Sequence, residues 1–331
     1  MATLFGGDVH AGLSGLQLAK ESLELGEGLT LSRTYAHLMA PFLMAFAPAP
    51  PGKHHPTPWK AASGGFAFDV NAELLIPARI EETHGSKIGV ARTVVFLLRL
   101  WLNPATTLPV FSNYPFAALS KIQDNEAKLF PFEVQPRHFP LEVDGSAATK
   151  DDLAWVKDNW QVTHKLIGES ADFELAVGAI DTGQFVQNSA LTLVSLWGAL
   201  EALFSPSTTE LKFRVSSLIG AYLEPAGKDR AELQKEVSKL YDKRSAAAHG
   251  KPKHDPQELL STFNLLRRVL IAIITDGQVP TKDDLSGMLF GTISRPAANR
   301  SLLRTGGSLV TRTGHRPRPA AERNVSLKDQ T

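Results

Sequence analysis

A chain of 331 residues has room for one large or two ordinary domains, and 43% hydrophobic against 21% charged residues is the balance of a globular protein with ample core. The absence of cysteine excludes a disulfide framework, a thiolate zinc site and a cysteine nucleophile, and it fits a reducing compartment. The net charge of +1 hides an asymmetry: residues 291–331 hold eight Lys or Arg and two Asp or Glu, a net +6, which leaves −5 for the rest.

The first ten residues show neither a basic stretch nor a long apolar one, so no signal peptide is expected, and no apolar run reaches the roughly 18 residues of a membrane span. Residues 1–140 read as a β-rich α+β domain. Leu16, Leu18, Leu23, Leu25, Leu29 and Leu31 alternate with polar residues, and Gly26 and Gly28 punctuate them like a hairpin. Residues 47–58 form a Pro-rich loop. Phe66, Phe68 and Val70, then Leu74 to Ile76, give two more strand candidates. Residues 88–102 are long and apolar enough for a buried helix that stops at Asn103-Pro104, and residues 110–116 and 130–134 look extended.

The Pro-rich run QPRHFP (135–140) and then DGSAATK (144–150) read as a linker, after which the pattern becomes helical. Helices are predicted over 151–169, 173–182, 184–204, 211–223, 228–249 and 256–275, with short connections, so residues 150–280 form an all-α bundle. Asp151-Asp152 suits a helix N-terminus. The helix over 184–204 is almost uncharged and so is expected to be buried on most faces. Residues 291–331, rich in Ser, Thr, Gly, Arg and Pro, read as a disordered basic tail.

The most informative stretch is residues 240–250, LYDKRSAAAHG. Leu233, Val237, Leu240, Tyr241 and Ala248 make an apolar stripe at helical spacing, and Arg244 falls within it. A guanidinium on a core-facing stripe needs a carboxylate, a phosphate or water. His249 precedes Gly250 and Pro252, which stop a helix. An ideal helix sets positions 244 and 249 about 140° apart, so they converge only if the helix unwinds or two copies meet. Glu201 is the lone charge on the apolar half of its helix and wants a cation, for which Arg244 is the candidate.

Three segments in order, LVSLWGALEALF (193–204), ELKFRVSSLIGAYL (210–223) and LYDKRSAAAHG, resemble the Apea-like branch of the HEPN superfamily. The resemblance covers residues 193–250 and implies a metal-independent endoribonuclease that works as a homodimer through its helical bundle. Arg and His would line a cleft between protomers, and cleavage would leave a 2′,3′-cyclic phosphate. On that pattern His249 moves protons and Arg244 neutralises the phosphorane, while Ser245 and Glu201 position them. Active members often carry Asn, Asp or His directly after the arginine; here it is Ser245. Arg214, Lys243 and Lys251 are candidate RNA contacts, as are the tail arginines Arg295, Arg300, Arg304, Arg312, Arg316 and Arg318.

The resemblance further implies a cytoplasmic role in prokaryotic antiviral defence or toxin-like abortive infection. RNA would be the substrate, a trigger or antitoxin could be a partner, and the N-terminal domain would sense the trigger or restrain the nuclease. No cofactor, metal or membrane partner is expected. Against this stands a plainer reading: Glu201 and Arg244 are a structural ion pair, Arg214 is a surface residue, Tyr241 is core, and the bundle is an inactive nucleotide- or RNA-binding, dimerising module. His54-His55 lacks the other ligands a metal needs, and His164, four residues after Trp160, reads as a packing residue.

Overall fold

The computed structural model describes residues 6–123, 126–138, 141–142, 147–204, 210–248, 256–295 and 310–311. An antiparallel sheet comes first and a helical region follows. β1 (Val9–Ser14) lies inside the sheet, and β2 (Ser22–Gly26) and β3 (Leu29–Ala45) form a hairpin. The hairpin turns at Glu27 (φ 50°) and Gly28 (φ 78°), the paired positive φ that a two-residue turn needs. A Cβ on Gly28 would also strike the Arg79 guanidinium at 2.5 Å.

β4 (Trp59–Ile76) is one 18-residue strand where the sequence suggested two. α1 (Ile80–His84) is short, and α2 (Lys87–Trp101) follows as expected, capped by the Ser86 hydroxyl. β5 (Thr107–Ser112) starts and stops earlier than the predicted 110–116 segment: the Ser112 hydroxyl accepts from the Tyr114 amide at 3.1 Å, and a 3₁₀ turn (Phe116–Lys121) follows Pro115. β6 (Leu129–Pro131) completes the sheet order β2-β3-β4-β1-β5-β6. Leu16 and Leu18 lie outside any strand, although both are buried. β7 (Leu141–Glu142) pairs with β8 (Val310–Thr311).

The helical region holds α3 (Lys150–Glu169), α4 (Ala171–Thr182), α5 (Ser189–Phe204), α6 (Leu211–Leu223), α7 (Lys228–Ala248), α8 (Pro256–Asp276) and α9 (Lys282–Phe290). α5 begins at Ser189 rather than at position 184. Gly183–Phe185 is a 3₁₀ turn, and the Asn188 side chain accepts from the Ala190 amide at 2.9 Å to start the helix afresh. α9 was not anticipated. Its Thr281–Asp284 capping box is a start signal, but the helix is only nine residues long.

One buried cluster runs through both regions. Alternate residues of the sheet (Ala11, Leu13, Leu29, Leu31, Leu74, Ile76) turn inward onto α2, whose Val94, Phe96, Leu97 and Leu98 are all buried. Every residue of α2 from Thr93 to Leu100 is buried, which needs cover on every side, and α2 has β4 on one flank and α3, α4 and α8 on others. The predicted linker is tied down on both sides: the His138 amide donates to Gln184 O at 2.7 Å, and Ala148 bridges Leu18.

Two buried arginines lock this seam. Arg99 of α2 donates to Asp181 of α4, to Glu133 and to Thr106 O. Burial alone would lower its pKa, but the two carboxylates outweigh that, and the net shift is upward. Arg267 of α8 donates to Leu100 O and Trp101 O, carbonyls at the end of α2 that have no partner within that helix. With no carboxylate to offset its burial, its pKa falls to about 10.

Of the expected tail, residues 296–309 and 312–331 lie outside the described residues. Arg295 is not a free tail cation. It is 5% exposed, its Nε donates to Asp276 at 2.5 Å, and its guanidinium lies over the Tyr222 ring.

Candidate functional site

The apolar stripe of α7 carries it onto α5. Leu233, Val237 and Tyr241 are buried there, and Tyr241 meets Trp197 edge-on with ring centroids 5.1 Å apart. Three residues past Tyr241, less than one helical turn, Arg244 emerges on the same side, and Glu201 stands one turn past Trp197 on α5. Thus the two charges that interrupt two apolar stripes are brought together by the packing of those stripes.

Glu201 receives two donors. The Tyr241 hydroxyl donates at 2.9 Å, and Arg244 Nη2 lies 3.3 Å from both carboxylate oxygens. The guanidinium also lies 5.5 Å from the Tyr241 ring centre. Burial, then the bond to Glu201, raise the Tyr241 pKa, so the phenol stays a donor across the neutral range. The Arg244 side chain is 25% exposed and that of Glu201 is 19% exposed, so the pair is half open to solvent. Arg244 Nε is buried with no hydrogen-bond partner among the described residues.

This arrangement can hold an anion. An arginine has five N–H donors, and the carboxylate engages one nitrogen of the three. Tyr241 holds Glu201 from the other side, so the guanidinium is oriented without being enclosed.

The remaining candidates divide. Lys243 reaches Glu258 of α8 at 2.9 Å, so that charge is matched within the fold. Arg214 is half-buried on α6, and its Nε has no hydrogen-bond partner among the described residues. Ser245 lies on α7, while His249 and Lys251 lie outside the described residues. Lys212 of α6 pairs with Asp242 at 2.7 Å and ties the α6 N-terminus to the turn that carries Arg244. Neither that pair nor the Tyr241 bond to Glu201 carried a signal in the sequence.

Elsewhere, His55 bonds Ala47 O, and His164 sits between Thr93 and His84 O as a packing residue. Among the described residues no group of three His, Cys, Asp or Glu could hold a metal, and no helix is long and apolar enough to cross a membrane. No protein-family model, curated protein or solved structure matches this chain.

Proposed function

We propose that the chain is a metal-independent endoribonuclease of HEPN type, acting as a homodimer in prokaryotic antiviral defence or a toxin-like abortive response. The observation that supports it is the half-open Arg244, oriented by Glu201 near the end of α7 and five residues before His249. In the proposed reaction the 2′-oxygen attacks the adjacent phosphorus and its proton passes to a base. The bond from phosphorus to the 5′-oxygen breaks, and the leaving oxygen takes a proton from an acid. His249 residues of two protomers would share these proton transfers, and Arg244 would balance the charge that builds on the phosphorane. The products are a 2′,3′-cyclic phosphate and a 5′-hydroxyl.

A second reading has its own observation. Glu201 already balances the charge of Arg244, as in a structural ion pair, which favours an RNA-binding, dimerising module without catalysis. Labelled RNA incubated with the pure chain in EDTA separates the two. The nuclease reading expects cleavage that His249→Ala abolishes and Glu201→Gln reduces. Retention of RNA without cleavage would instead support the module. If RNA is neither bound nor cut, both readings fall.

A further inference from the structure

Among the described residues no further strand pairs with β3 beyond Ser32 or with β4 before Ala72, so these two strands, paired with each other, leave the sheet as a two-stranded arm. Its base still packs, with Ala36 and Leu38 against Val70 and Phe116. From Met39 outward its apolar side chains lose that cover. Met39, Phe42, Leu43, Met44, Phe46 and Trp59 are each between 48% and 68% exposed. The register Phe42↔Ala62, Leu43↔Ala61, Met44↔Lys60 and Ala45↔Trp59 puts Phe42 and Met44 on one face and Leu43 and Trp59 on the other. Residues 38–51 contain no polar side chain. An isolated two-stranded ribbon is marginal in water, and an exposed apolar patch of this size marks a contact surface.

We propose that this arm is a membrane-surface anchor that seats its apolar tip in the interfacial layer of an anionic bilayer. The charge pattern selects that occupant. Residues 34–68 contain no Asp or Glu, while Lys53 and Lys60 flank the apolar cluster, the pairing of apolar side chains with cations that anionic lipid surfaces attract. Two such arms would bring like charges together, whereas an anionic surface offsets them.

The tip backbone suits a medium with little water. Pro48, Pro50, Pro51, Pro56 and Pro58 have no N–H to satisfy. The Lys53 amide donates to Pro50 O at 3.0 Å, the His55 ring to Ala47 O at 2.9 Å, and the Trp59 indole to His55 O at 3.0 Å. The free strand edges set the depth. Unpaired backbone groups are costly in hydrocarbon, so the arm lies at the headgroup boundary, where water still reaches them. The free portion of β3, seven residues from Met39 to Ala45, spans about 23 Å at about 3.3 Å per residue.

The test is co-sedimentation of the full chain with vesicles of phosphatidylcholine, alone or with about a third phosphatidylglycerol. The chain should pellet with the anionic vesicles. Phe42→Asp combined with Met44→Asp should cut the bound fraction about tenfold or more, with an unchanged melting temperature because both side chains are exposed. Lys53→Glu with Lys60→Glu should give a smaller loss that high salt erases. Trp59 emission should shift to the blue on the same vesicles, a change missing in Trp59→Phe. Failure to pellet, or binding that survives the Phe42 and Met44 changes, overturns the proposal; the latter would move lipid contact to the basic tail. A dimer that those two changes dissolve, with no vesicle binding, overturns it in favour of a second copy of the chain.

Discussion

Arg99 and Arg244 each face a carboxylate from a neighbouring helix, but one is sealed and the other half open. Arg99 is 2% exposed, and all three of its nitrogens are spoken for by Asp181, Glu133 and Thr106 O. Arg244 meets one carboxylate at 3.3 Å, keeps a quarter of its side chain in solvent, and its Nε has no hydrogen-bond partner among the described residues. The residue types are the same, but the surroundings set what each can do. A closed pair fixes the packing of α2 on the bundle, whereas an open pair can still exchange a partner.

This contrast predicts a graded set of losses. Arg99→Ala strands the buried Asp181 carboxylate and takes a donor from the partly buried Glu133, and should cost about 3–5 kcal/mol in chemical denaturation. A loss below about 1 kcal/mol would mean the seam does not depend on that charge. Arg267→Met removes the donors for Leu100 O and Trp101 O while relieving a buried charge, so about 1–3 kcal/mol is expected. Arg244→Ala should cost only about 1 kcal/mol of stability because its pair is partly exposed, yet it should abolish RNA cleavage. A large stability loss without a change in RNA handling would place Arg244 with Arg99.

The smallest effect lies in alkaline titration. Tyr241 and Tyr222 both have raised pKa values, chiefly through burial. The folded chain therefore holds those protons more tightly than the unfolded one. The stability they contribute is complete below about pH 10 and is lost as pH rises above it. Tyrosinate absorbance should show two of the four phenols ionising late, and Tyr241→Phe should remove one of them.

The sequence carried the helices well, because long apolar segments end at clear stops such as Asn103-Pro104: α6 falls on the predicted 211–223, and α2 within one residue of 88–102 at either end. It also carried the Glu201–Arg244 pair, since a lone charge within an apolar stripe must be matched. The arm was less legible. Beyond residue 40 neither of its faces is buried, so the alternation that marks a strand has no cause, and β4 read as two fragments. The seam was not legible at all. Arg99 and Arg267 lie on α2 and α8, 168 residues apart, and only the packing of helix on helix shows that one supplies donors to the end of the other.

The all-round burial of α2 bears on how the chain can be dissected. A fragment beginning at Lys150 would present to water the surfaces of α3, α4 and α8 that α2 now shields, together with an orphaned Asp181. Such a truncated bundle should clump on expression, and co-production with residues 1–140 as a separate polypeptide should return it to solution.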